Sequence, residues 1–219
     1  MTRIISVVLI SLCLMLSSNV FAGKSYWTCS SFFINKDGYL GTAGHCVEGS
    51  KNLYVIIDND MYPAEVVVAD YQNDVAIIKI DRKTPKYLDL ALAPNDDQII
   101  YILGYPLPDV RGWNLKVKKG RVVDSDGGYY TAEGGSCQGN SGGAVVNSSN
   151  NVVGVLTFGV GSSPCAYYVG IQKIRHLIVL AQIYDVRVTI PVASSARIYN
   201  TKTILDLDIK RVPILLGNN

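Results

Sequence analysis

The chain has 219 residues, which suits one large domain or two small ones, and 48% of them are hydrophobic against 17% charged. That balance excludes a disordered polyelectrolyte and describes a globular chain able to bury a sizeable core. The formal net charge is +2 and no basic run is long enough to form a nucleic-acid stripe, so no nucleic-acid partner is expected.

The opening MTRIISVVLISLCLMLSSNVFAGK reads as an export signal. Arg3 is its positive end, Ile4 to Leu16 its apolar stretch and Val20-Phe21-Ala22 a small-residue cleavage site. The apolar stretch is short for crossing a bilayer, and Cys13 sits inside it rather than at its polar end, which argues against a lipid anchor. The expectation is a signal over residues 1–22, no membrane association after its removal, and a mature chain that is secreted or periplasmic.

Beyond it, short β-rich runs alternate with turn residues. Strands are predicted at Trp27 to Ile34, Leu53 to Ile57, Ala64 to Ala69, Val75 to Ile80, Ile99 to Leu103, Leu115 to Val123, Ala144 to Val146, Val152 to Phe158 and Tyr167 to Ile171. The punctuation between them (NKDG, DNDM, YPLPD, DSDGG, NSSNN) is sound turn chemistry. Many short strands at this spacing indicate an all-β sandwich or barrel. Only Gln172 to Ile183 has helical periodicity, with Ile174, Leu177, Ile178 and Ala181 on one side. His176 reads as a surface or packing residue of that helix, Trp27 as core, and Tyr129 and Tyr130 as strand residues. The tail, residues 184–219, alternates only weakly and is left without a predicted role.

Four cysteines remain after the signal: Cys29, Cys46, Cys137 and Cys165. An even number in an exported chain suggests two disulfides, with three possible pairings. The spacings are too wide for a zinc site, so no metal is expected.

Three stretches carry chemistry. GTAGHC, Gly41 to Cys46, sets His45 in a tight small-residue turn. NDVAIIKID, Asn73 to Asp81, puts Asp74 at the mouth of an apolar strand. CQGNSGG, Cys137 to Gly143, packs glycines around Ser141. Each alone has an ordinary explanation: a core histidine, a strand-leading turn residue, a turn serine. Together they have a chemical one. A serine hydroxyl is a weak nucleophile until a base takes its proton, and histidine is suited to that near neutral pH. A carboxylate in turn holds the imidazole tautomer and stabilises the imidazolium. Asp74, leading into VAIIKI, is expected to be largely desolvated. The glycines beside Ser141 let the N–H groups of Gly139 and Ser141 point together at a developing oxyanion.

In the order His, Asp, Ser, these motifs closely resemble those of the trypsin-like (chymotrypsin-fold) serine peptidases, over roughly Trp27 to Ile183. The resemblance implies His45 as general base, Asp74 as its orienting carboxylate and Ser141 as nucleophile. It also implies a fold of two six-stranded antiparallel β-barrels, here with a C-terminal helix, and a protease domain over residues 23–183 followed by an extension over 184–219. Cys29–Cys46 and Cys137–Cys165 would then be the disulfides. Such an enzyme needs no cofactor, and its partner is a polypeptide substrate.

Departures from the family are informative. The digestive and clotting members carry an acid before the nucleophile that pairs with a newly cut N-terminal amine. Here that position is Asn140, so activation by N-terminal insertion is not expected. The pattern looks closer to bacterial members, including HtrA-like envelope proteases, although the tail is too short for the PDZ domain those usually carry. The family's pocket floor falls on Gly135, with Ser136 beside it, and the pocket wall on Thr157, Phe158 and Gly159. Tyr167 or Tyr168 is placed to narrow the pocket. An uncharged floor favours an apolar residue before the scissile bond, unless Glu133 enters the pocket by a two-residue shift and restores a basic preference. Two other readings stay open: a catalytically silent protease-fold binding protein, and an esterase. For the esterase the G-x-S-x-G elbow of the α/β-hydrolases is missing.

Overall fold

The computed structural model describes residues 26–92, 97–107, 112–126, 128–133, 138–159, 165–189 and 214–218. The expected signal and most of the tail lie outside these residues. Among the described residues no helix is long and apolar enough to cross a membrane.

Among the described residues twelve strands precede one helix: β1 (Tyr26–Ser30), β2 (Phe32–Phe33), β3 (Tyr39–Thr42), β4 (Asn52–Ile57), β5 (Asp60–Asp70), β6 (Val75–Ile80), β7 (Ile99–Gly104), β8 (Lys116–Asp126), β9 (Tyr129–Glu133), β10 (Ala144–Asn147), β11 (Val152–Gly159) and β12 (Cys165–Gly170), then α1 (Ile171–Leu180). A last strand, β13 (Ile214–Asn218), follows at the chain end. Strands β7 to β12 close into a six-stranded antiparallel barrel, and the rest form a second sheet in the order β1-β13-β4-β5-β6-β3-β2. Two barrel-like sheets and one helix are the architecture the resemblance implied.

The first sheet departs from expectation in its membership. It has seven strands, and the C-terminal β13 lies between β1 and β4, pairing Trp27 with Gly217 on one side and Leu53 with Gly217 on the other. Its two ends, β1 and β2, are separated only by Ser31, so they are halves of one bent strand. The bend brings the sheet round on itself, and six strand paths result.

Local patterns explain the elements. In β4 the side chains of Leu53, Val55 and Ile57 are buried while Asn52, Tyr54 and Ile56 are more open, the period-two signature of a half-buried strand. In β6, Val75, Ala76, Ile77 and Ile78 are all buried, because both faces of this strand are covered. Asp58 and Asn59 both take positive φ, 54° and 72°, as a tight hairpin between β4 and β5 requires. In NKDG, Asn35 Oδ1 accepts from the N–H groups of Asp37 and Tyr39, an Asx turn.

The helix is shorter than its periodicity predicted. Gln182 turns to φ 52°, and the N–H groups of Gln182 and Ile183 donate back to the carbonyls of Val179 and Ile178, a Schellman-type stop. The segment between the barrels is tied to both: Leu88 N–H donates to Phe33 O, Ala91 N–H to Val152 O and Leu90 N–H to Arg187 O, each within 2.9 Å. One apolar cluster runs from the first barrel to α1, and a second fills the other barrel around Ile100, Val145, Leu156 and Tyr168. Ordinary burial of such side chains stabilises by about 1.5–3 kcal/mol each.

Candidate active site

His45 sits in a single 3₁₀ turn, Gly44–Cys46, at the end of β3. Asp74 ends the turn between β5 and β6. The two are joined three ways: Asp74 Oδ1 accepts from the His45 backbone N–H at 2.8 Å, and Nδ1 of the ring lies 3.0 Å from Oδ1 and 2.9 Å from Oδ2. The carboxylate thereby fixes the backbone and the ring of His45 at once. Two backbone features permit this approach. Asp74 takes φ 54°, the left-handed region that aspartate tolerates better than most residues. A Cβ on Gly44 would lie 3.2 Å from Asp74 Cα and from Val75 N, so a side chain there would push the turn away from β6. The expectation that Asp74 is largely desolvated is corrected in part, since its side chain keeps 25% exposure against 45% for His45. The carboxylate is at the mouth of β6 and not under it.

The turn before Asp74 is itself braced. Asp70 accepts from the backbone and side-chain amides of Asn73. Burial raises the Asp70 carboxyl, but those amides, with the Gln72 N–H and Lys173, outweigh it and hold the group below its usual 3.8. Tyr129 of the other barrel donates its hydroxyl to Gln72 O at 3.2 Å.

Ser141 lies in the turn before β10, and that turn is clamped from three directions. From β1, Ser30 N–H donates to Ser141 O at 2.7 Å, and the Ser30 hydroxyl donates to Gly139 O at 2.8 Å. From the end of β7, Leu107 N–H donates to Gln138 O at 2.7 Å, and from β11 Leu156 O accepts from Gly142 N–H at 2.7 Å. The density of glycine follows from this crowding. Gly139 and Gly142 take φ 92° and 80°, and a Cβ on Gly142 would collide with Ser30 O and Thr42 Oγ1. The hydroxyl of Ser141 donates to Thr157 O at 2.9 Å, so a proton transfer to His45 requires it to leave that bond. In unliganded enzymes such contacts often form only with substrate.

His45 and Ser141 face one cleft of about 350 Å³, whose other walls include Trp27 and Cys29 of β1, Glu48 and Gln138. Trp27, expected as core, packs against the first apolar cluster and also lines this cleft. It is half-buried, with its indole N–H donated to Cys46 O at 3.0 Å, behind the His45 turn. The Cys29–Cys46 disulfide is formed, and Cys46 Sγ lies 3.6 Å from His45 Nε2.

The expected specificity pocket is only partly within view. Gly135, Ser136 and Cys137 lie outside the described residues, as does any Cys137–Cys165 bridge. Phe158 and Gly159 belong to the β11 backbone. Thr157 is buried and donates its hydroxyl to Tyr167 O at 3.1 Å, so what it offers the site is its carbonyl. Tyr168 does not narrow a pocket: it is fully buried in the second barrel, stacked on Tyr130 with centroids 5.2 Å apart. His176 is exposed on α1, as expected. Ser30 was missed from the sequence, where nothing in YWTCSSFF marks its hydroxyl as the tie to the Ser141 turn.

Known proteins share part of this sequence and its fold. Residues 29–155 match the trypsin-like peptidase domain. The chain is 26% identical over 143 residues to the serine endoprotease DegS of Haemophilus influenzae, covering 61% of this chain and 42% of that protein. It is 31% identical over 138 residues to a probable periplasmic serine endoprotease, DegP-like, of Rhizobium meliloti, covering 58% and 27%. The serine endoprotease of Yersinia pestis superposes with a TM-score of 0.63 at 20% identity, over 70% of this chain and 57% of that one, which shows likeness of fold. The chain thus spans less than half the length of the two curated relatives. With more than half its residues matched, it belongs to the trypsin-like peptidase domain family.

Proposed function

We propose that the chain is an exported serine endopeptidase that hydrolyses peptide bonds through an acyl-enzyme at Ser141. The observation that carries this is the three-point tie between His45 and Asp74 at the rim of the cleft that Ser141 also lines. Ser141 Oγ gives its proton to His45 Nε2 and bonds to the scissile carbonyl carbon. His45 then protonates the departing amine, and water repeats the sequence on the ester. Asp74 holds Nδ1 protonated throughout, which leaves Nε2 free as the base.

The oxyanion reading is supported by Gln138. Its carbonyl is occupied by Leu107 N–H, and in a trans peptide the Gly139 N–H points the opposite way. That leaves it available, with the Ser141 N–H, for a developing charge. Activation without N-terminal insertion is supported by Asn140, a buried neutral amide packed against Gly104. Export is supported by the leader pattern and by the periplasmic description of the DegP-like relative. A preference for an apolar residue before the scissile bond follows from the uncharged Gly135 and Ser136.

One observation favours the alternative of a silent binding protein, namely that the Ser141 hydroxyl is engaged by Thr157 O. Labelling of the oxidised protein with a fluorophosphonate, beside Ser141→Ala, separates the two readings. An adduct on the Ser141 peptide supports the peptidase, and no adduct on folded protein supports the binding protein.

A further inference from the structure

We propose that Glu48, backed by Trp27, forms a cation-selecting subsite for the leaving group, so that the preferred substrate carries Lys or Arg immediately after the scissile bond. This deepens the peptidase reading and rests on it.

The position follows from proton bookkeeping. His45 hands its proton to the departing amine, so the residue bearing that amine lies against the imidazole. Glu48 stands three residues further along the same run of turns, where its backbone N–H donates to Gly44 O at 3.2 Å, and it lines the same cleft as His45. The acyl half of the substrate has a different neighbour. Strand β11 runs past Ser141 on the Thr157 side, and no β11 residue is among the cleft's described walls. The cleft is therefore where the chain leaves the site.

Its chemistry is one-sided. His45 aside, Glu48 is the only ionisable side chain among the described walls. It is exposed, and among the described residues no ion pair to it is found. Trp27 adds an aromatic surface along which the stem of Lys or Arg can lie, with a guanidinium or ammonium near the carboxylate. An exposed pair of this kind together with an aromatic contact corresponds to a preference of about five- to tenfold.

Nucleophile partition tests this on the full oxidised chain. A p-nitrophenyl ester of an N-acylated apolar amino acid acylates Ser141 and releases nitrophenol, and added amines then compete with water for the acyl group. In capture, the amine nitrogen bonds to the acyl carbon as the bond to Ser141 Oγ breaks, and the amine's proton passes through His45 to that oxygen. Argininamide and its neutral isostere citrullinamide are compared within each protein, so the readout is an internal ratio. Wild type is expected to favour argininamide about five- to tenfold, less at high salt. Glu48→Gln brings the ratio near one, and Glu48→Arg takes it below one. A wild-type ratio near one, or a ratio unmoved in both variants, overturns the subsite while nitrophenol release leaves the acyl-enzyme standing. No nitrophenol release at all overturns the nucleophile assignment beneath it, which is a different failure.

Discussion

Replacing Ser30 by alanine removes one hydroxyl that serves two elements at once. Ser30 is fully buried. Its Oγ donates to Gly139 O at 2.8 Å and accepts from Tyr105 N–H at 3.1 Å, joining β1 of one barrel to the end of β7 and to the Ser141 turn. The substitution orphans a carbonyl and an N–H in a site too crowded to hydrate. Each orphan costs about 1–3 kcal/mol. The backbone bond from Ser30 N–H to Ser141 O survives, which limits the total to about 2–4 kcal/mol. For a chain of this size that corresponds to a fall in Tm of roughly 5–15 °C. Activity is expected to fall as well, because the Gly139 peptide loses one of its anchors. Deleting an oxyanion donor outright costs about a hundred- to a thousandfold, so loosening one should cost kcat roughly tenfold with KM little changed. Thermal unfolding and fluorophosphonate labelling rates, measured on the same preparations, check both halves. A variant with wild-type Tm and wild-type labelling would refute the claim that this hydroxyl ties the barrels to the Ser141 turn.

Three further outcomes follow from the same framework. Replacing Cys29 and Cys46 together by serine opens a loop with a sequence separation of 17, for an expected loss of about 3 kcal/mol on the chain-entropy account; urea unfolding with and without the bridge measures it. Gly217→Ala places a Cβ 2.7 Å from Trp27 Cζ2, and overpacking of this sort costs about 1–3 kcal/mol; an unchanged Tm would show that β13 does not press on the indole. The Asp70 carboxyl is held below 3.8 when folded, so its contribution is fully present above that value and is lost as pH falls through the depressed one. Asp70→Asn is therefore expected to be less stable than wild type near neutral pH and to converge with it as the pH falls through the depressed value, in paired thermal scans across that range.

The strands with clean alternation or dense β-branched residues were legible from the chain alone. Leu53, Val55 and Ile57 share one face by period two, and Val75 to Ile78 form an unbroken apolar run. The turn chemistry of NKDG, DNDM and NSSNN was legible too, because asparagine and glycine answer local backbone demands. His45, Asp74 and Ser141 stood out as candidates because the motifs around them, in that order, resemble those of a known family. What the chain could not announce were contacts between distant residues. YLGT, as β3, is too short and too glycine-rich to stand out before it pairs with β6. ILLGN lies over 150 residues from both of its neighbours, β1 and β4, and loop closure on that scale leaves no local trace in sequence. The same holds for Ser30, whose hydroxyl matters only because β7 and the Ser141 turn arrive at it. Trp27 reads as core by its hydrophobicity, and it also stands at the cleft because β13 carries a glycine beneath its ring. Local backbone preference and side-chain pattern thus determined the elements and the candidate site residues. Steric and hydrogen-bonding closure between the barrels decided which residues hold them in place.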